Sequence, residues 1–190
     1  LVTYAGARSV DAPPGRVFGS GTVLDSSRFR YLIARRAGVD VGNVHGFIVG
    51  EHGDSEIPLW SSVSIGGVPA AEWRSGGVPV FDESARTAIG SGVVNAAYEI
   101  IEGKGATNLA IGLSSARIIE AVLGDQHRVL PVSTVQQGAY QLTDVALSLP
   151  TLVSRTGAGQ VLEVPLAVHE LLGLQGSART LREAGASLNL

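Results

Sequence analysis

The sequence predicts an α+β fold, with helices and strands mixed and hairpins crowding the second half. Three observations carry this. Apolar Ala85, Ile89, Val93, Ala97 and Ile100 recur at steps of three and four, the period of a helix with one buried face. Strand-like segments 128–135 and 143–149 are joined through Gln136-Gln137-Gly138. The pair Gly66-Gly67 stands where a tight hairpin turn belongs. Long helices set among hairpins argue against a simple βαβ repeat.

Taken in order, Leu1 to Val10 reads as a helix, stopped by Ala12-Pro13-Pro14-Gly15. Arg16-Val17-Phe18 reads as a short strand running into Gly19-Ser20-Gly21-Thr22. A helix over Leu24–Ala37 places Leu24, Phe29, Tyr31, Leu32 and Ile33 at its apolar positions, with Gly38 as its C′ residue. Branched and aromatic content makes Val44–Val49 a strand ending at Gly50, and a loop leads to a second strand over Leu59–Ile65. Asp82 caps the long amphipathic helix, which Gly103-Lys104-Gly105 breaks, and Thr107 begins another over Leu109–Leu123. Strands follow at 128–135, 143–149 and 161–164, and a glycine-weakened helix closes the chain over Leu166–Leu188.

Composition bounds the function. The chain has 190 residues, 14 basic against 17 acidic, a net charge of −3 and 45% hydrophobic residues. That excludes disorder and gives no basic footprint for nucleic acid or an anionic membrane. With no cysteine, disulfides, thiolate metal sites and a cysteine nucleophile are excluded. No apolar run approaches the ~18 residues that span a bilayer, and no signal peptide opens the chain, so a cytoplasmic protein is expected. The chain starts at Leu1 and has no methionine. Its first residues read as the middle of a helix, and it is expected to be the C-terminal part of something longer.

Two short strings carry chemistry. On a helix, Asp25 and Arg28 lie three apart and share a face, whereas Arg30 is roughly 140° round the wheel from Asp25 and points elsewhere. Alone, the first pair is a surface ion pair of small value. Gly50-Glu51-His52-Gly53-Asp54-Ser55 puts a histidine between glycines at a strand end, where a general acid/base fits. No second histidine stands at ligand spacing, so no metal is assigned. Gly-x-Ser-x-Gly is absent, which leaves no serine-hydrolase elbow.

Together, Gly19-Ser20-Gly21-Thr22-Val-Leu24-Asp25-Ser-Ser-Arg28-Phe29-Arg30, Val44-His45-Gly-Phe-Ile-Val-Gly50-Glu51-His52-Gly53-Asp54-Ser55 and Pro58-Leu-Trp60-Ser61 resemble the L-lactate dehydrogenase family, bacterial type. So do Ile101-Glu102-Gly103-Lys104-Gly105-Ala106-Thr107 and Val129-Leu-Pro-Val-Ser-Thr134. The resemblance implies the lactate/malate dehydrogenase C-terminal catalytic domain over 23–190, a mixed, largely antiparallel sheet with long helices. Residues 1–22 would be the last helix and strand of a truncated NAD-binding Rossmann domain. It implies interconversion of L-lactate and pyruvate with NAD in a cytoplasmic homotetramer. His52 matches the proton donor and acceptor, Asp25 its carboxylate partner, and Arg28 the carboxylate-binding arginine. Ser20 matches a residue beside the nicotinamide, and Thr107 one lining the substrate pocket. Arg30 and His45 match residues that bind fructose 1,6-bisphosphate at a subunit interface. Glu51, where many malate enzymes carry glycine, tips the substrate from malate and oxaloacetate towards lactate. The cofactor's Gly-x-Gly-x-x-Gly loop and the mobile specificity loop are not in these 190 residues. The alternatives are therefore a malate dehydrogenase of the same superfamily, or a non-catalytic module that keeps only the oligomerisation surface.

Overall fold

A computed structural model describes residues 1–104 and 108–188. Five helices, α1 (Val2–Ser9), α2 (Val23–Ala37), α3 (Glu83–Lys104), α4 (Leu109–Leu123) and α5 (Val168–Ser187), surround ten strands. The strands are β1 (Val44–His45), β2 (Ile48–Val49), β3 (Ile57–Pro58), β4 (Ser64–Ile65), β5 (Val68–Pro69), β6 (Arg74–Ser75), β7 (Val78–Pro79), β8 (Arg128–Gln137), β9 (Thr143–Ser154) and β10 (Gly157–Val161). Every ladder is antiparallel: β10-β9-β8, β1-β4-β5, β2-β3 and β6-β7. The α+β expectation therefore holds. No helix of the described residues is long and apolar enough to cross a membrane.

Three of the helix and turn signals read from the sequence fall where expected, whereas α3 runs on through Gly103 and Lys104, and Gly105 and Thr107 lie outside the described residues. Gly38 adopts φ 72° at the end of α2, and the Val39 N–H returns to the Ala34 carbonyl, closing the last turn. Asp82 accepts the Ala85 N–H at 2.8 Å and starts α3, whose Ala85, Ile89 and Val93 are buried. The side chains of Ala97 and Ile100 lie outside the described residues. Gly66 and Gly67 take φ 57° and 87° and turn β4 into β5.

Four strand expectations are corrected. Arg16–Phe18 forms no strand: the segment has no adjacent ladder, and pairing begins with the single bridge Gly19–Ser133. The expected strand Val44–Val49 is two strands in different sheets, β1 pairing with β4 and β2 with β3. At the break, a Cβ on Gly46 would lie 3.3 Å from the Phe29 ring, and the Ile48 N–H is taken by Ser26 Oγ at 2.8 Å. The strand expected over Leu59–Ile65 is interrupted by a 3₁₀ turn at Trp60–Ser62, and its pairing residues are Ile57–Pro58 and Ser64–Ile65. The last strand lies at Gly157–Val161, upstream of the expected 161–164, because Gly157 at φ 101° turns directly back onto β9.

Strand β9 is the centre of the molecule and is buried along most of its length. Leu147 and Leu149 pack with Val49, Leu59 and the α5 residues Leu174, Ala178 and Leu181. Val153 joins Leu130, Val132, Val23 and the α4 residues Ile118 and Ala121. A third cluster joins α2 to α3 through Phe29, Ile33, Ile89 and Val93. The tail helix, weak by propensity, is thus held by tertiary burial.

Candidate active site

One residue of β9 gathers the site. The Ser148 backbone exchanges two hydrogen bonds with Gly50 (2.8 and 2.9 Å), and its hydroxyl accepts the Thr22 N–H at 3.1 Å. Gly50 precedes the histidine loop and Thr22 precedes α2, so β9 brings two distant segments side by side. Ser26 reinforces this by bonding both backbone groups of Ile48. Gly50 holds φ 90°, and a Cβ there would come within 2.8 Å of Ser177 Oγ and 2.7 Å of Ile57 Cδ1.

Across this junction the His52 Nδ1–H donates to Asp25 Oδ2 at 2.7 Å. Asp25 Oδ1 lies 3.6 Å from Arg28 Nη1, so the i, i+3 pair shares a face as its spacing required. The Asp25 side chain is 4% exposed, Arg28 15% and His52 56%. The carboxylate is therefore sealed beneath the ring while the imidazole opens outward. Arg28 Nη2 is buried with no hydrogen-bond partner among the described residues. A buried guanidinium donor left unmet is costly unless a ligand oxygen takes it up. The Asp25 hydrogen bond raises the His52 pKa above its ordinary value; burial opposes it, while the Asp25 and Glu56 charges assist.

Residues that the sequence reading passed over complete the loop. Ser177 of α5 accepts the Glu51 N–H at 2.8 Å and lies 3.1 Å from Ser55 Oγ, which in turn donates to the Glu51 carboxylate. Glu56 lies within 4.8 Å of both His52 and Asp25, measured between their polar atoms. Its carboxyl pKa is pushed up to about 8, first by burial and then by the Asp25 charge. The His52–Asp25 hydrogen bond and the nearby Arg28 charge both compete with a cation for these three groups. Glu56 follows directly on the Gly50–Ser55 string, and its acidic side chain before apolar Ile57 was the available signal.

Among the described residues, no hydrogen bond or ion pair joins Ser20, Arg30 or His45 to this cluster. Ser20 sits half-buried in the turn before α2, its backbone carbonyl accepting the Val23 N–H at 3.3 Å. Thr107 lies outside the described residues. Arg30 turns back along its own helix, donating to the Ser26 carbonyl and Ser27 Oγ. Burial and the facing Arg117 lower its pKa. His45 is exposed on β1, opposite Ser64.

The fold and site define a domain in which a carboxylate-held histidine stands beside a half-sealed arginine. Residues 22–187 match the lactate/malate dehydrogenase, alpha/beta C-terminal domain. The chain belongs to this family. It is 49% identical over 187 residues to the L-lactate dehydrogenase of Bifidobacterium animalis subsp. lactis, covering 98% of this chain and 58% of that protein. Against the L-lactate dehydrogenase of Nitratidesulfovibrio vulgaris it is 47% identical over 188 residues, covering 99% and 61%. The crystal structure of minor L-lactate dehydrogenase from Enterococcus mundtii superposes with a TM-score of 0.91 at 37% identity, over 96% of this chain and 58% of that one. A lactate dehydrogenase from a Medee basin deep-sea metagenome library gives a TM-score of 0.94 at 34% identity, over 100% and 60%. The chain thus spans about three fifths of the length of these relatives.

Proposed function

We propose that this chain is the substrate-binding and proton-transfer part of an NAD-dependent L-lactate dehydrogenase, interconverting L-lactate and pyruvate in the cytoplasm. The observation that carries the reading is the 2.7 Å bond from His52 Nδ1 to the sealed Asp25, with the Arg28 guanidinium on the same helix face. Asp25 fixes the ring so that Nε2 is the free nitrogen and supports the imidazolium. Protonated His52 gives its Nε2 proton to the ketone oxygen of pyruvate; neutral His52 takes the hydroxyl proton of lactate. Arg28 grips the substrate carboxylate through a two-pronged fork that fixes position and angle, and its unpartnered Nη2 supplies one prong. Thr107 is assigned to the substrate side-chain pocket.

NAD, when bound, supplies or accepts the hydride. Ser20, half-buried at the turn before α2, suits a contact to the nicotinamide end. Residues 1–22 are assigned to the end of a Rossmann domain and 23–190 to the substrate domain, in keeping with the greater length of the relatives. The names of those relatives favour lactate over malate.

Arg30 and His45 are assigned to a fructose 1,6-bisphosphate site between subunits of a homotetramer. Supporting this, Arg30 faces Arg117 with no acidic neighbour acting on it among the described residues, an arrangement that an anion relieves. Leu109 and Leu113 of α4 and Val168 and Leu172 of α5 are exposed apolar surface of the kind subunits cover.

The test is NADH oxidation with pyruvate and with oxaloacetate, using this chain joined to a dinucleotide-binding domain. A higher kcat/KM for pyruvate is expected. Preference for oxaloacetate would move the assignment to malate, and no turnover with either would remove it. The 190 residues alone are expected not to oxidise NADH. Activation by fructose 1,6-bisphosphate that Arg30→Gln with His45→Gln abolishes supports the effector site, and a wild type without activation rejects it.

A further inference from the structure

The site holds a second carboxyl that the proposed proton transfer does not use. Glu56 lies within 4.8 Å of the polar atoms of both Asp25 and His52, at the end of the histidine loop immediately before β3. Its Oε1 is buried and finds no hydrogen-bond partner among the described residues. An ionised carboxylate with a buried, unmet oxygen beside the Asp25 charge is strongly disfavoured, whereas a neutral carboxyl is tolerated. The charged groups acting on Glu56 are Asp25 and Arg28 from α2 and His52 from its own loop. Those acting on His52 are Asp25, Arg28 and Glu56. Helix α5 meets the same loop with uncharged groups, Ser177 against Glu51 and Gly173 against Ile57.

We propose that Glu56 is a positioning residue for the His52 imidazole, a carboxyl that stays neutral at neutral pH and, once ionised, becomes a second counter-charge holding the imidazolium proton in place. With His52 protonated and Glu56 neutral, the trio Asp25, His52 and Glu56 carries −1, +1 and 0. Raising the pH sends the Glu56 proton to solvent, and the extra negative charge beside the ring makes the next proton harder to remove from His52. Asp25 orients the ring, and Glu56 sets how far into alkali it stays charged. The inference rests on reading His52 as the proton-transfer group, but its test needs no turnover.

The measurement is an NMR titration of the ring C–H protons of the chain's four histidines from acid to alkali. The His52 signal is assigned by its loss in His52→Gln. In the wild type the His52 signal is expected to move in two steps, one for its own ionisation and one following Glu56. In Glu56→Gln the second step disappears and the His52 midpoint falls by about one pH unit, the shift an opposite charge at this range produces. The signals of His45, His127 and His169 serve as internal references for the comparison. A single-step wild-type curve with the same midpoint in Glu56→Gln overturns the inference. Should Glu56→Gln fail to fold, the wild-type curve alone decides, because one step there overturns it equally. Failure here with normal pyruvate turnover would leave the lactate reading standing, and the reverse outcome would leave the coupling standing.

Discussion

The Glu51 backbone N–H donates to the Ser177 hydroxyl at 2.8 Å, fastening the histidine loop to a helix 126 residues further along the chain. Ser177 is 1% exposed, and no water replaces its oxygen once it is removed. Ser177→Ala leaves the Glu51 N–H unmet and frees Ser55 on one side. The expected loss is about 1–3 kcal/mol of unfolding free energy, measured by urea denaturation. An unchanged midpoint would show that the loop holds its shape without α5.

Gly50 sits one residue away and is more tightly constrained. Its φ of 90° disfavours any other residue, and an added Cβ would press on Ser177 Oγ and Ile57. Gly50→Ala is expected to destabilise by at least about 2 kcal/mol, since strain and overpacking act together. A thermal melt equal to that of the wild type would refute the tight fit.

These two contacts also mark where sequence reading stops. Local chemistry was legible: the shared face of Asp25 and Arg28 follows from helical period, and Gly38, Gly66-Gly67 and Asp82 from backbone geometry. Apolar content alone did not show that Val44–Val49 divides between two sheets, because the break comes from Phe29 and Ser26 of a different element. Ser148 and Ser177 look like ordinary serines in sequence. They matter through partners 126 residues away, a separation that no local pattern encodes. Glu56 was missed because its significance lies in burial beside Asp25.

Arg28 supplies the carboxylate-binding prediction. Its Nη1 is already turned to Asp25, and its buried Nη2 waits for a second partner. Lysine keeps the charge but loses the planar fork. Arg28→Lys is expected to raise the KM for pyruvate about a hundredfold, the equivalent of one lost charge-assisted hydrogen bond of roughly 1.5–3 kcal/mol. Steady-state kinetics on this chain joined to a dinucleotide-binding domain make the check, and an unchanged KM would remove Arg28 from substrate binding.

Glu56 makes a prediction about stability that is separate from its effect on His52. Unfolded, its carboxyl releases a proton near the ordinary value of 4.5; folded, it holds that proton to about 8. Between these values the folded chain binds the extra proton, so stability falls as pH rises through that window. Below 4.5 both states are protonated and the cost vanishes. Glutamine has the shape of the neutral acid and nothing to ionise. Glu56→Gln is therefore expected to match the wild type at pH 4 and to exceed it at pH 8. After allowance for solvent at the edge of the site, the gain is about 1–2 kcal/mol. Urea denaturation of both proteins across pH 4–8 reads the difference directly. A gap that does not widen with pH would mean that Glu56 ionises in the fold as freely as in the unfolded chain.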